Sequence, residues 1–219
     1  MRVLLLVVGL LAGRIACAQA VVTFHFERPG VAVTSYTFTV PEAGGGTFVA
    51  VYPPLVSMTG VAATAQGPAH GPEMLAISAG TRKALFEKVR AAELGKRDCA
   101  SKAKHLADTG LKVLTYAGGE GAGTCAYNYS DDKGVAGVTQ MFQAMANTYD
   151  EGRVLEFKRR FDRLGLDEVM TRLVEEVKVG QAMEMGNIAP TLRRLVDDAQ
   201  VLERVRGRAR KLLEGIAPE

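Results

Sequence analysis

The chain contains no tryptophan, few aromatic residues and only three cysteines among its 219 residues. So few cysteines exclude a small scaffold held together mainly by disulfides. The core must come from aliphatic and phenylalanine side chains instead, and at 47% apolar composition there are enough for one large domain or two small ones. An excess of one charge sign is also missing: 27 Lys and Arg face 24 Asp and Glu, a net +3. Arg2 and Arg14 fall in an N-terminal leader without acids, so once it is removed 25 cations face 24 anions, a net +1. That balance lacks the basic footprint of a nucleic-acid-binding protein. Past the leader, no apolar run approaches the ~18 residues of a membrane span. Collagen-like and coiled-coil readings fail on composition.

Recognisable catalytic spacings are absent as well. The sequence has no Gly-x-Ser-x-Gly elbow, no His-Glu-x-x-His helix and no Cys-x-x-Cys pair. Its adjacent carboxylates, Asp131-Asp132, Glu175-Glu176 and Asp197-Asp198, are consecutive. On a helix such neighbours point about 100° apart, which suits caps and exposed faces better than paired acid–base work. Gly118 to Gly123 leads into a strand rather than a helix, so it reads as a wide hairpin turn and not a phosphate cradle. No catalytic residue, metal site or cofactor is therefore assigned.

What is present begins with the leader. Met1-Arg2 is a short positive stretch, Val3 to Ala12 is an almost pure Leu/Val run, and Ala18-Gln19-Ala20 offers small residues to a signal peptidase. As a helix the run reaches about 15 Å, half of a ~30 Å hydrocarbon core, so it suits export better than anchoring. Residues 1–20 are read as a signal peptide cut after Ala20, with Ala16-Cys17-Ala18 as a second site. The expected location is periplasmic or secreted. Lipid attachment through Cys17 is the alternative, although Arg14 stands where an aliphatic residue is usual. After cleavage Cys99 and Cys125 form an even pair in an oxidising compartment and are expected to bond. Metal ligation by Cys99, His105 and Asp108 is the other reading, but it does not resemble a closed zinc site.

Apolar residues alternate at Val22, Phe24, Phe26, then at Tyr36, Phe38, Val40, then at Phe48, Ala50, Tyr52, the period of half-buried strands. Residues 53–73 lose all periodicity and read as a flexible excursion. Ser78 can cap a helix reaching Leu94, Leu111 to Tyr129 forms a second hairpin, and Val135, Val138, Phe142, Met145 and Tyr149 stripe a second helix. Beyond Asp150 every segment is helical. One stripe is Val154, Phe157, Phe161 and Leu164, the next Leu166, Val169, Leu173 and Val177, and a third segment starts at Asn187 with Pro190 in its first turn. The fold class is α+β: an antiparallel sheet with two helices over 21–150, then a helical bundle over 151–219.

Two regions are candidates for contact. The polar connection Asp98 to Asp108 carries Lys102 and Lys104, which could hold an anion, and His105 with Asp108, which could orient a proton transfer. A solvated loop tethered by the cysteines explains the same residues. Arg204, Arg206, Arg208, Arg210 and Lys211 form a basic stretch that is either a partner surface or a solvated helix face. Asn128-Tyr129-Ser130 matches a glycosylation sequon but falls on the proposed strand.

Tyr36 to Val40, Ile77-Ser78 with Leu85-Phe86, Leu111 to Tyr116 and the helix from Val135 resemble a family of exported bacterial domains of unknown function, with a β-β-α-β-β-α pattern. That resemblance implies no catalytic residues. Ile188 to Leu213 is similar to one HEAT-type helical hairpin, short of the three or so stacked repeats a solenoid needs. The expectation is a non-enzymatic interaction module whose partner is a protein of the cell envelope, with no nucleic acid. The alternative is a hydrolase or small-ligand binder with its site near the 98–108 loop.

Overall fold

A computed structural model describes residues 19–52, 72–96 and 98–216. Cys17, the leader up to residue 18 and residues 53–71 of the excursion lie outside the described residues. The fold is α+β. Six strands, β1 (Val21–Glu27), β2 (Ser35–Pro41), β3 (Thr47–Val51), β4 (Glu73–Met74), β5 (Leu111–Ala117) and β6 (Gly123–Tyr127), form one antiparallel sheet in the order β4-β3-β2-β1-β5-β6. The alternation seen in the sequence is the burial pattern of each long strand. Val22, Phe24 and Phe26 of β1 and Tyr36, Phe38 and Val40 of β2 face the core, and their neighbours face away. The two-residue strand β4 takes in Glu73, the last residue of the expected excursion, where no strand was expected.

One face of the sheet is covered by α1 (Ala79–Ala92) and the N-terminal half of α2 (Lys133–Phe161). Ser78 caps α1 by accepting from the Thr81 N–H, and Asp132 caps α2 by accepting from Gly134 and Val135. Phe142 of α2 stacks on Phe24, with centroids 4.9 Å apart, and Tyr149 stacks on Phe48 at 4.2 Å.

Helix α2 runs unbroken through Asp150 and Gly152, so the expected boundary at 150/151 falls inside it. Leu155 of α2, with Val154 packed beside it, joins a second core with α3 (Leu166–Lys178), α4 (Ala189–Asp197) and α5 (Glu203–Glu214). Gly152 marks a close approach: a Cβ there would collide with Cγ2 of Ile188. The expected stripe Val154, Phe157, Phe161, Leu164 does not form. Phe157 is buried, but Phe161, the last residue of α2, is 58% exposed, and Leu164 is 82% exposed in the 3-10 turn over Arg163–Gly165, which breaks the helical phase. Helices α4 and α5 pack as a hairpin, with Pro190 in the first turn of α4.

Candidate functional site

The 98–108 connection is a tethered loop. Cys99 and Cys125 lie at disulfide distance, with Cα atoms 5.7 Å apart. The Ser101 N–H donates to the Tyr129 carbonyl at 2.8 Å. Asn128 crosses to the loop, donating to the Ala107 carbonyl at 2.8 Å and accepting from the Thr109 N–H at 2.7 Å. Asn128 lies just past the end of β6 rather than on a strand, and these bonds occupy its carboxamide. Lys102, Lys104 and His105 are exposed, and none makes a hydrogen bond or ion pair among the described residues. Asp108 accepts from the Gly110 N–H at 2.9 Å, and among the described residues no hydrogen bond or ion pair links it to His105. The pair imagined for proton transfer is not assembled.

Sequence reasoning missed Lys112, which opens the core-facing phase Lys112, Leu114, Tyr116 of β5. It is 4% exposed, and its ammonium donates to the carbonyls of Thr109, Gly110 and Asn128 at 2.7–3.0 Å and to the Thr109 hydroxyl at 2.9 Å. Burial lowers its pKa, and Arg28 nearby lowers it further. Three protons shared among four oxygens leave nothing over for a ligand. Lys112 edges a recess of about 350 Å3 with Tyr127, Tyr129, Ser130, Thr139 and Gln143. There the Tyr127 and Thr139 hydroxyls bond at 2.6 Å, and Thr139 donates onward to the Val135 carbonyl. The recess is a site whose polar groups are largely spent on one another.

The cations of α5 are mostly spent too. Arg204 and Arg208 both reach the Asp167 carboxylate of α3, at 2.9 and 2.6 Å. Arg206 and Arg210 pair with Glu203 at 3.1 and 2.9 Å, and Arg206 also donates to the Val196 carbonyl. These guanidiniums hold the Asp167 and Glu203 carboxyls below the usual carboxylate range. Of the five basic residues, Lys211 alone makes no ion pair among the described residues.

A different surface emerges on the far side of the sheet. Both covering helices lie on the core face, and no described element packs on the other. On this open face Thr124, Thr115, Thr23, Thr39 and Thr47 stand opposite one another across β6, β5, β1, β2 and β3. Neighbouring members are spaced by the strand separation of about 4.8 Å. The hydroxyls of Thr115 and Thr124 lie 3.1 Å apart. The next rank is Ala126, Val113, His25, Thr37 and Val49. Among the face's strand residues only His25 and Glu27 can carry charge, and they sit 4.0 Å from each other. Three exposed apolar side chains join this face at its margins: Val51, Leu111 and, opposite Thr47, Met74 at 76% exposure. Each threonine is legible in the sequence as the polar phase of its own strand. Their alignment is not.

Among the described residues no helix is long and apolar enough to cross a membrane, and no three His, Cys, Asp or Glu side chains are grouped to hold a metal. Comparison with protein-family models, with curated proteins and with solved structures found no match for the chain.

Proposed function

We propose that this chain is an exported interaction module of the bacterial cell envelope and that it binds a partner protein through the open face of its sheet. The observation that carries this reading is the rank of five threonines on a face whose described strand residues include only two that can carry charge, His25 and Glu27. In a chain that is 23% charged, a solvated face would ordinarily carry more Lys and Glu. Depletion of charge is what marks the buried core of a protein interface. Threonine offers a methyl and a hydroxyl on a stiff stem, so a row of them gains contact area and hydrogen bonds at a small cost in rotamer entropy. The partner that fits is itself uncharged over the contact, since an unpaired charge pressed against this face would lose its water without compensation. The leader and the Cys99–Cys125 pair support export.

The rival, a hydrolase or ligand site beside the 98–108 loop, is weakened by the unassembled His105 and Asp108 and by the saturated Lys112. A photo-crosslinking residue placed at Thr39, in cells, tests the proposal against the same residue at Lys83, on the helix α1 that covers the opposite side. One recurring envelope protein captured from position 39, absent from position 83 and lost when a Thr23→Lys charge is added to the rank, is the expected result. Equal capture at both positions, or none at 39, would refute it.

A further inference from the structure

Two bonds satisfy the small-residue rule for leader removal. Ala16 and Ala18 qualify the bond after Ala18, and Ala18 and Ala20 qualify the bond after Ala20. The peptidase meets an extended chain, so both are open to it, but only one cut leaves the fold whole. Ala20 is 8% exposed and belongs to the sheet's core. Its carbonyl accepts the Glu42 N–H at 2.8 Å, one step beyond the last β1–β2 pair, Val21 with Pro41. A cut after Ala20 removes that acceptor and puts a charged ammonium on the first residue of β1, a strand flanked on both sides by β2 and β5. A cut after Ala18 keeps the acceptor and leaves the exposed Gln19 as the first residue.

We propose that the mature chain begins at Gln19 and that this residue is closed to pyroglutamate; the inference rests on the export reading above. In the closure the free α-amine of Gln19 attacks its own side-chain carboxamide carbon. A bond forms from the α-nitrogen to Cδ, the bond from Cδ to Nε2 breaks, and ammonia leaves. The product is a five-membered lactam, and no oxidant or further reactant is consumed. The surroundings suit the neutral product. Gln19 and Ala20 share a shallow recess with Glu42, Arg90 and Tyr116. There Arg90 already donates to both Glu42 oxygens at 2.6 Å and to the Tyr116 hydroxyl at 3.1 Å. Both Glu42 oxygens are already held by Arg90, so an ammonium at Gln19 would meet an engaged carboxylate and a like-charged guanidinium, whereas the lactam brings no charge to the recess.

The test is intact-mass and N-terminal peptide mass spectrometry of the full chain, expressed with its own leader and a C-terminal tag and recovered from the periplasm. The expected species starts at Gln19, is lighter by one ammonia and resists stepwise N-terminal degradation. A Gln19→Asn variant is expected to be cut at the same bond and to keep its amine, because its side chain is one carbon too short for the ring. A chain starting at Val21 overturns the inference while leaving export intact. A Gln19 start that keeps its amine through prolonged incubation overturns the modification. A chain that retains Met1, or starts at a lipid-bearing Cys17, overturns the reading of soluble export itself.

Discussion

Gly152 sits inside α2, where alanine is the better helix former by about 1 kcal/mol. Packing reverses that preference, because the added methyl would run into Ile188. Gly152→Ala is expected to destabilise the protein by about 1–3 kcal/mol through overpacking, seen as a lower Tm. A raised Tm would show that Ile188, in the turn just before α4, yields freely. Lys112 makes a second case. Lys112→Met keeps the length of the side chain but strips three backbone carbonyls of a charged donor. An expected loss of about 2–3 kcal/mol in urea unfolding follows from the desolvated carbonyls left behind; an unchanged midpoint would mean that water replaces the ammonium. In the sequence Gly152 is only a poor helix former and Lys112 only one polar residue among the apolar ones of β5. Neither revealed its partner, because Ile188 and Asn128 are brought in by other elements.

At the scale of elements, the 98–110 loop and the α5 arginines show how far charge and cysteine patterns can be read. Cys99 and Cys125 were legible as an even pair, and they stand at disulfide distance across 26 residues. Closing a loop of about 27 residues is worth about 3.5 kcal/mol in the chain-entropy model. The Cys99→Ser/Cys125→Ser double variant is expected to lose a comparable amount, and the parent protein to lose it on adding reductant; equal denaturation midpoints with and without reductant would exclude the bond. The basic stretch of α5 was legible too, but its use was not. Arg208 is 41 residues from the Asp167 it holds, and only the docking of α5 on α3 brings them together. Asp167→Asn is expected to lower Tm in dilute buffer and to have little effect at high salt, where exposed ion pairs are screened. An equal drop at both ionic strengths would count against this account.

For the molecule as a whole, the joint between the sheet core and the helical core contains Glu151. Its side chain is 5% exposed and is bonded by Arg172 at 2.7–3.0 Å. Burial raises its pKa from 4.5 to about 7, against the opposing pull of Arg172 and with small additions from Glu176 and Asp150. Between those two values the folded chain keeps a proton that the unfolded chain has lost. The stability this contributes is complete below 4.5, falls as pH rises and is gone above about 7. The parent protein is therefore expected to melt higher at pH 5 than at pH 8 relative to Glu151→Gln, by an amount on the order of 1–3 kcal/mol. The depressed carboxyls of Glu156, Asp162, Asp167 and Glu203 stay ionised across that range and do not mask the effect. Parallel profiles for the two proteins would show that Arg172 keeps Glu151 ionised throughout.

The sequence by itself determined the kinds of element and their phase. Alternation along β1 and β2, the Ser78 cap and the 3.6-residue stripe of α2 arise between near neighbours on the chain, and such signals survive without a fold. Tertiary structure alone decided the register. Slipping any one strand by a single residue would turn its threonine to the core face, so Thr23, Thr39, Thr47, Thr115 and Thr124 become one surface only when all five strands are paired. The same holds for the joint at Gly152 and Glu151, where the packing partners Ile188 and Arg172 come from segments that no local pattern connects.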